Sequence, residues 1–145
     1  RAGLPFLDSA EQSAWYNEAM SEAIAEKLDA LPVEPYLAYW RRRQEIQQVR
    51  NARLAERAHN DARQIAVMLR SRFGVTQILL FGSLAKGRFE ATSDLDMAVA
   101  GLAEAEFFQA VAQAGKLSDF PVDLKPLDAL APHFLAEVLS TGIEM

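Results

Sequence analysis

Between Tyr36 and Arg72 the chain contains neither proline nor glycine, and no other stretch of it is so long without a helix breaker. Within that stretch Leu54, Ala58, Ala62, Ile65 and Leu69, and then Phe73, recur every three or four residues. This spacing predicts a long helix with one buried face, stopped by Gly74. Upstream, residues from about Ser9 to Leu31 are rich in Ala, Glu, Gln and Leu, and predict a first helix capped by Asp8 or Ser9. Pro32 and Pro35 separate the two helices.

After Gly74 the period changes. Val75 to Phe81 is a β-branched and aliphatic run of strand length, expected to be buried on both faces. Asp94 to Ala100 predicts a second strand and Pro121 to Leu127 a short third one. Helices are expected over Leu102 to Leu117 and from Asp128 to about Ser140. A helical region followed by a small α+β core is the layout these signals describe.

The total of 145 residues suits one compact domain. The absence of cysteine excludes disulfides, thiolate zinc sites and thiol nucleophiles. Apolar runs such as Ile78 to Phe81 are far short of a membrane span, and no signal peptide stands out. A cytoplasmic location is therefore the expectation, and Arg1 in place of Met suggests a trimmed start. A net charge of −5 argues against a protein that coats nucleic acid nonspecifically. Residues 1–35 carry −5, residues 36–72 carry +6 and residues 73–145 carry −6. Arg41, Arg42, Arg43, Arg50, Arg53 and Arg57 are accordingly read as a solvated face paired with the acidic helix of residues 11–34, in preference to an RNA-binding surface.

The chemistry concentrates between Leu80 and Val99. A strand ends at Phe81 and runs into Gly82-Ser83, where the missing Cβ lets backbone approach a ligand. Leu84 to Lys86 could open a short helix whose N–H groups meet an anion, with Lys86 and Arg88 as candidate phosphate contacts and Gly87 between them. A spacer of ten residues that ends in Ser93 separates Ser83 from Asp94, and Asp96 lies two further on. Carboxylates two residues apart on a strand share a face, repel each other and call for a compensating cation. Mg²⁺ takes one or two carboxylates together with phosphate oxygens. Ser93 either orients this site or caps the loop before Asp94.

This pattern of strand, Gly-Ser, ten residues and Asp-x-Asp resembles the minimal nucleotidyltransferases of the DNA polymerase β superfamily. The resemblance covers about residues 60–145. It implies a polymerase-β-like core, a small mixed sheet with helices over residues 59–145, preceded by a helical N-terminal extension over residues 1–58. It implies Mg²⁺ held by Asp94, Asp96 and a third carboxylate, matched by Asp123, which helps activate the attacking hydroxyl. Gly82 and Ser83 would hold the triphosphate, with Lys86, Arg88 and Ser93 nearby. Lys125 shares a strand face with Asp123 and could neutralise carboxylates or meet nucleotide.

The activity implied is transfer of a nucleotidyl group, AMP from ATP, to an acceptor hydroxyl. Family members of this size occur as antitoxins that adenylylate a HEPN-domain ribonuclease toxin, so such a toxin is the expected partner and the extension its docking surface. A contact-type antitoxin and a small-molecule nucleotidyltransferase of the aminoglycoside type stay open, as does an oligomer. His59 and His133 lack companions at ligand spacing and are read as ordinary surface or capping residues. Tyr36, Tyr39 and Trp40 are expected to pack over the Pro32–Pro35 turn.

Overall fold

The computed structural model describes residues 9–145. The expected cap at Asp8 lies outside the described residues, and Ser9 is the first residue of helix α1, Ser9–Ala30. Helix α2 spans Val33–Phe73, so Pro35 sits within its first turn, where a missing N–H breaks no helical bond. The described residues divide into two compact units, 9–43 and 44–145.

In the first unit α1 buries no residue. Trp15, Tyr16, Met20, Ile24 and Leu28 are all exposed on it. Tyr36, Tyr39 and Trp40 gather beside Pro35, where the four residues line a shallow recess, and each of the three rings stays more than half exposed. Tyr39 and Trp40 meet edge to face at 5.6 Å, and the Arg43 guanidinium lies over both rings. Arg41 reaches Glu34 at 4.0 Å, at the start of α2, and Arg57 pairs with Asp119, within the second unit, at 3.0 Å.

The second unit is built on a four-stranded mixed sheet in the order β3-β2-β1-β4. Strand β1 is Gln77–Phe81, β2 Leu95–Ala100, β3 Val122–Pro126 and β4 Ile143–Glu144. Strand β1 runs antiparallel to β2 and β4, while β2 and β3 are parallel. The period of two divides the side chains between the faces. Ile78, Leu80, Leu95, Met97 and Val99 pack beneath Ala62, Ile65 and Leu69 of α2 and Ala110 of helix α4, Phe107–Lys116. Leu79, Phe81 and Ala98 face the other way, against Val138, Phe134 and Leu135 of helix α5, Pro132–Thr141.

Several boundaries move from their sequence expectation for local reasons. Val75 returns its N–H to Leu69 and Thr76 bonds Ala100, so β1 pairs as a strand only from Gln77. Helices α4 and α5 are each preceded by a tighter 3₁₀ turn, Glu104–Glu106 and Leu127–Ala129, which delays their start. Strand β4 was not expected: it has two residues and no periodic signal, and its register is set by pairing with Leu79 and Leu80. His133 is exposed in the first turn of α5, and His59 is half-buried on α2.

Candidate functional site

Strand β1 delivers Phe81 at the sheet's end, and the chain turns at Gly82 into a one-turn helix α3, Gly82–Ala85. Gly82 has φ +73°, and a Cβ there would overlap the carboxylate of Asp96. Both facts penalise a side chain, because a positive φ strains any L residue and the carboxylate would have to shift to make room. The turn is closed by backbone bonds from Lys86 to Gly82 (3.1 Å) and from Arg88 to Ser83 (2.8 Å). Phe89 then plunges into the core, 2% exposed, and meets Phe120 edge to face at 5.0 Å. That anchor fixes the loop leading to the acidic strand.

Ser93 accepts a hydrogen bond from the Glu90 N–H at 2.9 Å and donates its own N–H to the Glu90 carbonyl. Its side chain closes the loop. Asp94 falls one residue before β2 and is exposed, because the strand begins where Leu95 donates its N–H to Pro121. Asp96 is half-buried within β2 and stands in register with Asp123 of β3 and with Phe81 of β1. Its carboxyl is raised above the usual Asp value, chiefly by burial, then by the charges of Asp123 and Asp94, with Lys125 acting in the opposite sense.

The Lys125 ammonium is 3.1 Å from Asp123 Oδ2 and lies over the rings of Phe81 and Phe134, at 5.8 and 5.7 Å. The Lys86 ammonium is held by Glu137 of α5 at 3.3 Å. A cavity of about 290 Å³ gathers Gly82, Lys86, Asp96, Lys125, Phe134 and Glu137. Of the residues expected from sequence, Arg88 lies elsewhere: with Gln48, Asn51 and His59 it lines a second cleft between α2 and the loop. Phe134, Glu137 and Thr141, which wall the site from α5, belong to no motif that marks them in the sequence. Their spacing of three and four marks one helix face, but sequence alone does not tell which sheet face that helix covers.

Among the described residues no three His, Cys, Asp or Glu side chains converge closely enough to hold a metal ion. The donor chemistry nonetheless fits a hard divalent cation. Asp96 and Asp123 oppose each other across adjacent strands, and the charge of Asp123 adds to the burial that raises the Asp96 carboxyl. Oxygen donors with surplus negative charge are what Mg²⁺ requires.

Residues 63–145 match the family described as Polymerase beta, Nucleotidyltransferase. The chain belongs to this family. Among solved structures, this nucleotidyltransferase is similar to a chain described as a minimal nucleotidyltransferase, with 29% identity and a TM-score of 0.51, over 58% of this chain and 89% of that one. It is also similar to a chain of a mutant MntA-HpeT toxin-antitoxin, with 25% identity and a TM-score of 0.50, over 58% of this chain and 70% of that one. A toxin-antitoxin structure with AMP-PNP, at 24% identity, TM-score 0.50 and 59% and 71% coverage, shares the fold. No curated protein matches the chain. The polymerase-β-like α+β core expected from the sequence is therefore borne out, as is the resemblance to minimal nucleotidyltransferases. No described helix is long and apolar enough to cross a membrane.

Proposed function

We propose that this nucleotidyltransferase transfers AMP from ATP to a hydroxyl on a protein partner, a HEPN-type ribonuclease toxin, and so acts as its antitoxin. The observation that carries the chemistry is the meeting of the Gly82 turn, Asp96 and Asp123 at one end of the sheet. The similarity to a toxin-antitoxin chain supports the partner. The exposed apolar side chains of α1 offer that partner a docking surface.

Asp96 and Asp123 would hold Mg²⁺ together with phosphate oxygens, with Asp94 at the start of the strand as the third carboxylate drawn in when the ion binds, and the ion would supply charge stabilisation at the transferred phosphoryl group. Gly82 keeps the strand end free of side-chain bulk, so that backbone N–H groups of the turn can approach the triphosphate. Lys86 stands beside the same cavity and neutralises phosphate charge on leaving Glu137. The acceptor oxygen forms its bond to the α-phosphorus as the bond from that phosphorus to the bridging oxygen breaks. Pyrophosphate departs with the electron pair, and Asp123 takes the hydroxyl proton.

The test is incubation with labelled ATP, GTP, CTP or UTP and Mg²⁺, with and without the neighbouring gene product, followed by intact-mass analysis. A gain of one AMP on the partner, lost in Asp94→Asn/Asp96→Asn, is the expected result. Absence of transfer, with toxin neutralisation retained by the double variant, overturns the catalytic reading in favour of inhibition by contact.

A further inference from the structure

Lys125 has surroundings that a solvated surface lysine lacks. Its ammonium bonds Asp123 Oδ2 at 3.1 Å and rests on Phe81 and Phe134, whose rings meet edge to face at 5.6 Å. Phe81 comes from β1, Lys125 from β3 and Phe134 from α5, so three separate elements fix the position of one charge. The other nearby cation, Lys86, is paired with Glu137 and not with the carboxylates. Lys125 is also the group that opposes the raising of the Asp96 carboxyl by burial, Asp123 and Asp94.

An oxygen that accepts from an ammonium at 3.1 Å also has to serve a divalent cation whose ligand distance is about 2.0–2.1 Å. The two positive charges would then lie within a few ångströms and repel. A lysine stem is flexible enough to let the ammonium yield Asp123 to the metal.

On the reading that these carboxylates bind a divalent cation, we propose that Lys125 is a built-in counter-ion that holds Asp123 in place before the metal arrives and competes with the metal for it. Lys125 is thus a positioning residue. It keeps the acidic strand ends folded together in the absence of metal and sets how much metal the site needs.

The measurement is Mn²⁺ binding to the full chain, followed by electron paramagnetic resonance of the free ion, with thermal unfolding in EDTA and in saturating Mn²⁺ alongside. Lys125→Met should bind Mn²⁺ roughly tenfold tighter than the wild type, the scale of removing one unit charge beside the ion. It should also unfold at lower temperature in EDTA, with the deficit closing in saturating Mn²⁺. Lys125→Arg should keep wild-type affinity to within about threefold, because the charge remains. Lys125→Gln repeats the neutralisation with a polar side chain, so a packing defect confined to Lys125→Met does not decide the matter. Unchanged or weaker Mn²⁺ binding in both neutral variants overturns the counter-ion role while leaving the metal site standing. A wild type that binds no more Mn²⁺ than Asp94→Asn/Asp96→Asn overturns the metal reading itself, and the competition with it.

Discussion

Asp96 and Asp123 oppose each other across the parallel β2–β3 pair, and a Cβ on Gly82 would occupy the space of the Asp96 carboxylate. An acid at such a point costs the fold stability whenever it is charged. The Asp96 carboxyl is raised, first by burial and then by Asp123 and Asp94, so the native state holds this proton more tightly than the unfolded chain. The unfolded chain then carries fewer protons across the window between the ordinary value of 3.8 and the raised native one, and stability falls as pH rises through it. In EDTA, Asp96→Asn should therefore unfold at higher urea than wild type at neutral pH, with the two converging below 3.8. Urea titrations across the acid range measure this, and curves that stay parallel would contradict it.

The glycine at the turn yields a second prediction. Gly82 and Gly87 have nearly the same backbone, φ +73° and +71°, but a Cβ at Gly87 meets open space. Gly87→Ala should cost only the left-handed strain, about 1–2 kcal/mol. Gly82→Ala adds the collision with Asp96 and should cost more, on the order of 3 kcal/mol or above. Removing the obstacle in Gly82→Ala/Asp96→Ala should recover part of the excess, which a double-mutant cycle in urea would resolve. Equal losses at the two glycines would rule out the collision.

The same residues mark the boundary between what is local in the sequence and what only folding brings together. Gly82, Ser83, Asp94 and Asp96 are legible in the sequence because a ten-residue spacer between a strand end and a second strand is a local pattern. The period of two along VDLK puts Asp123 and Lys125 on one face, and their side chains do meet there. The parallel pairing that sets Asp123 opposite Asp96 is non-local, and no spacing encodes it. The same holds for α5: Phe134 and Val138 read as apolar helix residues, but only the sheet's order decides that they cover the carboxylate face. Arg88 lies away from the Asp96 cavity for a related reason. The turn bonded from Arg88 to Ser83 and the burial of Phe89 carry its side chain toward α2.

Phe89 links the site to the core. Its ring is 2% exposed and edge-on to Phe120, and the loop it anchors carries Ser93 and Asp94. Phe89→Ala should lose about 3–5 kcal/mol, the range for deleting a buried aromatic ring. Phe89→Leu, which refills most of the space, should cost less than half of that and is the variant in which to measure transfer. Its activity should drop more than its stability implies, because the loop that presents Asp94 is loosened. Full activity in a folded Phe89→Leu protein would show that the loop holds its position without the ring.

Lys86 and Glu137 make the last prediction. Their ion pair at 3.3 Å joins two half-exposed side chains, so water screens it and it contributes at most about 1 kcal/mol to folding. Its importance lies in where it stands, on the wall of the cavity that holds Asp96. On the proposed function, Glu137 adds a negative charge to the space that a triphosphate would enter and occupies the cation that would meet it. Glu137→Gln should leave the unfolding midpoint nearly unchanged yet tighten nucleoside triphosphate binding by about three- to tenfold, as one unit charge at a screened distance would. Lys86→Ala should weaken binding by a similar factor. The double variant separates the two effects: if Glu137 acts only by holding Lys86, removing the lysine first makes the glutamine change silent. Calorimetric titration with ATP and Mg²⁺ reads all three variants. Weaker binding in Glu137→Gln would instead make Glu137 a direct ligand contact, with its carboxylate accepting from the nucleotide.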